Sequence, residues 1–199
     1  MTHVSRAAVR PIRVDEWPQV KALRLLALQD PAAPIAFLET YEKAAAEPDS
    51  FWQDRAEGAA DGTRVRQFVA EDLDGSWSGT VTVLIEEAGD GDVFGGAIDR
   101  RQAHVVGVFV RPEHRGNGVI DALFETAVAW AWSVPDVART RLYVHEDNAR
   151  AERFYRRFGF ARSGQTVPMK GDPSKLEREM ILDRPGIPSG TAQGSPTGA

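Results

Sequence analysis

A strand-like run, a short turn with two glycines and a following helix constrain this chain more than any other feature. The run His104 to Val110 is rich in β-branched residues and is closed by Pro112. The turn Arg115-Gly116-Asn117-Gly118 leads into a stretch whose apolar residues recur at helical spacing as far as Ser133. These are Ile120, Leu123, Phe124, Ala127, Trp130 and Ala131. Glycine allows a backbone to approach an anion closely. A helix start offers N–H groups without intrahelical partners and a partial positive charge. Together these make a cradle for phosphate or pyrophosphate, and Arg115 adds charge of the right sign. A Walker loop is excluded, because Gly118 is followed by Val119-Ile120 where Lys and Ser or Thr are needed. The dinucleotide fingerprint needs three spaced glycines and finds only Gly116 and Gly118. Two readings stay open from the turn alone: a pyrophosphate-bearing acyl carrier such as coenzyme A, or glycines that only join strand to helix.

Composition limits the remaining chemistry. The 199 residues suit one domain, 42% of them are hydrophobic, and a core can be built. With no Cys there is no disulfide, iron–sulfur cluster or thiol nucleophile, and with only 4 His a zinc site is not expected. The charge, 24 − 29 = −5, disfavours nucleic acid as a partner, since such binding rests on neutralising phosphates. The longest apolar run, Ala127 to Trp132, falls far short of the roughly 18 residues of a membrane helix. The first residues carry no apolar signal stretch, so cytoplasm is the expected location.

The rest of the chain alternates strand-like and helix-like segments, the pattern of a mixed α/β sheet. Strands are expected over Ala8–Val14, Val65–Ala70, Thr80–Glu86, Thr140–His145, Ala161–Pro168 and Leu176–Leu182. Helices are expected over Glu16–Gln29, Ala36–Ala46, Pro48–Glu57 and Asp147–Phe158, the last stopped by Gly159. The Gly- and Asp-rich excursion from Ala88 to Gln102 reads as a long hairpin loop. The folded domain is expected over residues 1–183. Residues 184–199, rich in Pro, Gly, Ser and Thr, read as a disordered tail.

The second informative segment runs from Asn148 to Phe160. Ala151, Phe154, Tyr155 and Phe158 share one helical face. Taken together, Val108-Phe109-Val110-x-Pro-x-x-Arg115-Gly116-Asn117-Gly118 and Asn148-x-x-Ala151-x-x-Phe154-Tyr155-x-x-x-Gly159-Phe160 resemble the GNAT family, the Gcn5-related N-acetyltransferases. Motif-level similarity covers about residues 104–160. The resemblance implies a single-domain α/β fold: a mixed, mostly antiparallel sheet flanked by helices, with splayed central strands. It implies acetyl-CoA as cosubstrate, its pantetheine arm lying between the strand of Val108–Val110 and the strand ending at His145. The backbone of Val108 and Val110, with Phe109 between them, would pair with that arm. Arg115 would open the loop, and the amides of Gly116, Asn117, Gly118, Val119, Ile120 and Asp121 would hold the pyrophosphate. Asn148 would touch the cosubstrate near the pantetheine, and Tyr155 would protonate the departing thiolate. Three positions depart from the family pattern. Ile120 stands where Gly or Ala is usual, Asp121 brings a carboxylate into the first helical turn, and Tyr143 stands where some relatives carry a Glu base.

The expected reaction is transfer of an acetyl group to a primary amine, by direct attack in a ternary complex because no Cys can form an acyl-enzyme. A protonated amine has no lone pair, so a base is needed. His104 is the first candidate. It precedes Val108 by four residues, so ideal alternation places it on the same face as Val108 and Val110. His145 is the second, and Glu86 and Glu87 are candidate relay groups. Each also reads as an ordinary strand or surface residue. Phe37, Glu39, Tyr41, Phe51, Trp52 and the 88–102 excursion are candidate acceptor contacts, or simply helix packing. Trp130 and Trp132 lie on different sides of their helix, leaving one of them for a homodimer contact. A small-molecule amine is preferred as acceptor. A peptide or protein N-terminus, or a non-catalytic acyl-CoA-binding regulatory module, are the alternatives.

Overall fold

The structure is a computed structural model and describes residues 7–92, 94 and 96–186. Most of the expected tail, residues 187–199, lies outside the described residues. Seven strands form one sheet: β1 (Ala8–Pro11), β2 (Val65–Glu71), β3 (Trp77–Glu86), β4 (Gln102–Val110), β5 (Arg139–His145), β6 (Ala161–Met169) and β7 (Asp172–Asp183). Their spatial order is β1-β2-β3-β4-β5-β7-β6. Every neighbouring pair is antiparallel except β4 and β5. Five helices complete the fold: α1 (Trp17–Leu28), α2 (Tyr41–Ala46), α3 (Asp49–Ala60), α4 (Val119–Ser133) and α5 (Ala149–Phe158). This is the expected α/β class.

Alternation along the strands divides the core in two. Phe68, Ala70, Val81, Val83 and Val105 pack with Leu123, Phe124 and Ala127 of α4 and Tyr155 of α5. Val69, Trp77 and Phe109 pack with Val20 and Leu23 of α1 and with Trp52 and Ala56 of α3. Successive strand residues point to opposite faces, so a sheet covered on both sides buries nearly every position, as in β3, where Ser78, Thr80 and Thr82 are buried along with the apolar residues.

Several boundaries differ from expectation for local reasons. The expected helix Ala36–Ala46 keeps only Tyr41–Ala46, because the Thr40 hydroxyl accepts the Lys43 N–H at 3.3 Å and sets the start there. Pro48 is the N-cap of α3 rather than its first residue. β1 ends at Pro11, although the Ile12 N–H still donates to the Gln67 carbonyl at 3.0 Å, and a short 3-10 turn over Val14–Glu16 follows. The loop between β3 and β4 folds back over the sheet. Its Asp92 Oδ1 accepts the N–H groups of Phe94 at 2.9 Å and Gly96 at 2.7 Å, and the Phe94 ring meets Tyr143 edge-on at 4.7 Å.

β4 and β5 part almost at once. Their parallel ladder consists of Ala103↔Thr140 and His104↔Arg141, after which the strands diverge. On its other side β4 carries a bulge. Thr82 lies opposite Val106 and Thr80 opposite Phe109, so Gly107 and Val108 together face the single residue Val81. Gly107 has φ +62, a conformation glycine adopts without penalty.

Candidate active site

The bulge corrects one sequence expectation. Leu84, Thr82 and Thr80 share a face of β3, so their partners His104, Val106 and Phe109 share a face of β4. Val110 lies on the other face, opposite Gly79, and packs with the α4 core together with Val108. His104 is therefore not on the face of Val108 and Val110. The extra residue at the bulge inverts the alternation between them.

The turn after β4 keeps the features of an anion cradle. Gly116 and Gly118 have φ +82 and +80, and a Cβ built on either would meet nothing within 4 Å. Gly118 is the N-cap of α4, and the first helical bond there is Ala122 N–H to the Gly118 carbonyl at 3.1 Å. The preceding amides, from Gly116 to Asp121, thus lead into the loop without a helical acceptor. Ile120 is half-buried and packs against the α4 core. Asp121 is turned onto Arg157 Nη2 at 2.8 Å, which neutralises its carboxylate at the loop. Open glycines, free amides and the parted strands fit a pantetheine–pyrophosphate chain.

Two expected contacts are already occupied within the chain. Arg115 does not reach into the loop: its Nε donates to the Val110 carbonyl at 2.9 Å and its Nη2 pairs with Asp30. Burial alone would raise the Asp30 pKa, but the Ala32 amide and Arg115 outweigh it and hold the carboxyl below its ordinary range. Asn148 caps α5, accepting the Ala151 N–H at 3.2 Å, and donates through Nδ2 to the Ile35 carbonyl at 3.3 Å. Both residues fasten α1 and its following turn to the strand ends that border the gap.

His104 belongs to a buried polar cluster. Its Nδ1 lies 2.9 Å from Glu86 Oε1. Gln102 Nε2 donates to Glu86 Oε2 at 3.0 Å, and Arg141 forks onto the same carboxylate through Nε and Nη2, each at 2.8 Å. Arg141 Nη1 also donates to Tyr143 Oη at 2.9 Å and Glu179 Oε1 at 3.1 Å. Burial opposes ionisation of Glu86, but the hydrogen bonds from His104 and Arg141 prevail and bring its pKa down to about 2. Burial is also what pushes the Tyr143 phenol well above its ordinary value.

The two histidines take opposite tautomers. An ionised Glu86 only accepts, so His104 Nδ1 must donate, and the lone pair of the neutral ring sits on Nε2. His145 Nδ1 instead accepts the Asp147 N–H at 3.1 Å, so its hydrogen is on Nε2. Of the two base candidates, only His104 presents a free lone pair at the outer nitrogen. His114 ends a short 3-10 turn over Pro112–His114 and lies 3.8 Å from Asp72.

Tyr155 is buried in the α4–α5 core, 5.6 Å from the Phe124 ring, and its hydroxyl forms no hydrogen bond among the described residues. Burial first, and then the Glu177 carboxylate, raise its pKa well above the ordinary value, so the phenol keeps its proton. Glu177 was not singled out from sequence. It lies on β7 directly opposite His145, is buried, and makes no hydrogen bond among the described residues. Burial lifts its pKa to about 7. The alternating charges of Leu176-Glu177-Arg178-Glu179 read as a solvated edge, and only the register with β5 reveals the burial.

Among the described residues no helix is long and apolar enough to cross a membrane, and no cluster of His, Asp and Glu has the arrangement of a metal site. No match was found among the curated proteins. Solved structures share the fold. An acetyltransferase of the GNAT family from Streptococcus pneumoniae matches with a TM-score of 0.70 at 15% identity, covering 89% of this chain and 99% of that one. Spermidine N-acetyltransferase from Vibrio cholerae, solved with CoA and spermine, matches at 0.64 and 18%, covering 90% and 96%. A GCN5-related N-acetyltransferase from Kribbella flavida matches at 0.64 and 20%, covering 90% and 98%. The family model described as Acetyltransferase (GNAT) family matches residues 23–160, a span that includes the parted strands, the glycine cradle and the helix of Tyr155. The chain belongs to the GNAT family of acetyltransferases, enzymes that draw their acetyl group from acetyl-CoA.

Proposed function

We propose that this enzyme acetylates a primary amine of a small molecule by direct attack of the amine on the thioester of acetyl-CoA. The carrying observation is the parting of β4 and β5 beside the open cradle of Gly116 and Gly118, which leaves a slot for an extended arm ending in a pyrophosphate. Amides 116–121 would hold the pyrophosphate, and the backbone of Val108 and Val110 would border the arm. Bound acetyl-CoA supplies an acetyl carbon activated by its thioester. The amine nitrogen forms the new C–N bond as the C–S bond breaks. His104 Nε2, held in the basic tautomer by Glu86, takes the amine proton by way of water. Tyr155 returns a proton to the departing sulfur. Burial raises the phenol pKa, and the same desolvation makes a thiolate formed beside it more basic, so the transfer stays matched.

Calorimetric titration with acetyl-CoA comes first. Binding in the micromolar range, about −8 kcal/mol, is expected, followed by thiol release with an amine panel. Tyr155→Phe is expected to lower kcat by about 100-fold with acetyl-CoA affinity retained. An unchanged kcat removes Tyr155 from the mechanism. Binding without thiol release from any amine favours a regulatory acyl-CoA module.

A further inference from the structure

A pocket on the α1–α3 side of the sheet reaches the β4 bulge. Gly107 and Phe109 form its floor, and Arg24, Arg55, Gln67 and Thr82 stand around it. Its floor residues flank Val108, where the acetyl end of an arm lying between β4 and β5 would emerge. This is the side from which an acceptor can meet the thioester.

The charges there are unbalanced. Arg24 projects from α1, its guanidinium 4.4 Å over the Phe37 ring and 3.0 Å from Glu39. Arg55 projects from α3 and forms no ion pair among the described residues. Of the two guanidiniums, only that of Arg24 is paired with a carboxylate among the described residues. Burial depresses the Arg24 pKa against the opposing pull of Glu39, and the field of Arg55 adds a smaller push in the same direction as burial. Gln67 and Thr82 add neutral polar groups, and the Thr82 hydroxyl has no hydrogen-bond partner among the described residues. In a chain of net charge −5, a cationic pocket at the reaction side is a local specialisation.

We propose that the acceptor carries an anionic group, a carboxylate or a phosphate, on the same small molecule as the amine, and that Arg55 with Arg24 binds it. The inference rests on the acetyl-transfer reading above. A planar guanidinium pairs two N–H groups with two anionic oxygens, and an anion between Arg24 and Arg55 relieves their repulsion. The same field repels the remaining ammonium groups of a polyamine, so spermidine is expected to be a poor acceptor although a structural neighbour acetylates it.

The test uses the full chain, saturated with acetyl-CoA, and matched acceptors: free amino acids against their amides, phosphoethanolamine against ethanolamine, and spermidine. At neutral pH the amide's amine is the weaker base and more of it is free, so a preference for the acid runs against intrinsic reactivity. A kcat/KM at least about tenfold higher for an anionic member than for its neutral partner is expected, with the carboxylate and phosphate pairs telling which anion is used. Arg55→Gln is expected to bring the two members of the preferred pair together. Equal or better use of the neutral amines or of spermidine overturns the inference. If no acceptor turns over, calorimetry of the same pairs with coenzyme A present decides: no preference for the anion overturns it. Acetyl-CoA binding, measured in parallel, separates the failures. Its loss overturns the acetyl-transfer reading, whereas intact binding without anion preference overturns this inference alone.

Discussion

Glu177→Gln is the perturbation whose size follows most directly from the structure. The carboxyl is buried, carries no hydrogen bond among the described residues, and has its pKa raised from an ordinary 4.5 to about 7. In the unfolded chain the group returns to its ordinary value. Between those two pH values the folded state holds a proton that the unfolded state has lost, so stability falls as pH rises through the window. Below about pH 4.5 both states are protonated and the term vanishes. Above about pH 7 the folded protein must carry an unpaired buried charge, and the full cost applies. The difference, 7 − 4.5, at 1.36 kcal/mol for each pH unit gives about 3 kcal/mol. Gln is neutral at every pH and nearly the same size. The variant is therefore expected to gain up to about 3 kcal/mol over wild type near pH 8 and almost nothing near pH 4.5. Urea unfolding of both proteins at a series of pH values measures the difference, and comparing the two cancels every other titrating group. Parallel pH dependences would refute the reasoning: Glu177 would then be solvated or paired in the folded protein.

Two further substitutions probe the polar cluster and the cradle. Glu86→Gln breaks the fork of the buried Arg141, which keeps Glu179 at 3.1 Å, and is expected to cost about 1.5–3 kcal/mol in urea unfolding; a loss under about 1 kcal/mol would mean the pair behaves as a surface one. Gly118→Ala meets no atom but must adopt φ +80, so about 1–2 kcal/mol of stability should go. Calorimetry should show a larger effect, a Kd for acetyl-CoA raised at least about tenfold, because the added methyl stands where a phosphate would approach. An unchanged Kd would place the phosphates elsewhere.

The parts of the site written in contiguous residues were legible. The glycine turn, the start of α4 and the helix of Tyr155 are local features, fixed by backbone freedom, capping and 3.6-residue periodicity, and they stand where the sequence placed them. Features that depend on register were not. Ideal alternation gives the wrong face for His104, because the bulge at Gly107 and Val108 breaks it. A glycine inside a β-branched run was itself the available signal for a bulge. Arg141 and Glu86 are 55 residues apart and meet only across the β3–β4–β5 order, so no spacing rule points to their pairing. Arg24 and Arg55 sit on separate helices whose packing brings their side chains to one pocket. Asp92 lies in the Gly- and Asp-rich loop, yet its buried carboxylate completes the cluster around Tyr143. Tertiary pairing decides all four.

The short ladder between β4 and β5 has a mechanical consequence. Two register pairs join a four-stranded half, β1 to β4, to a three-stranded half, β5 to β7. Just at that seam the fork of Arg141 reaches past β4 to Glu86 on β3. The ion pair is the pin of a pivot, and the parted strand ends are the two arms of a lever. Widening between those ends is expected to turn the halves about the short ladder, because the fork resists sliding of β5 past β3. The residue that the proposal assigns as base is held by the same carboxylate, so opening and proton transfer share one anchor.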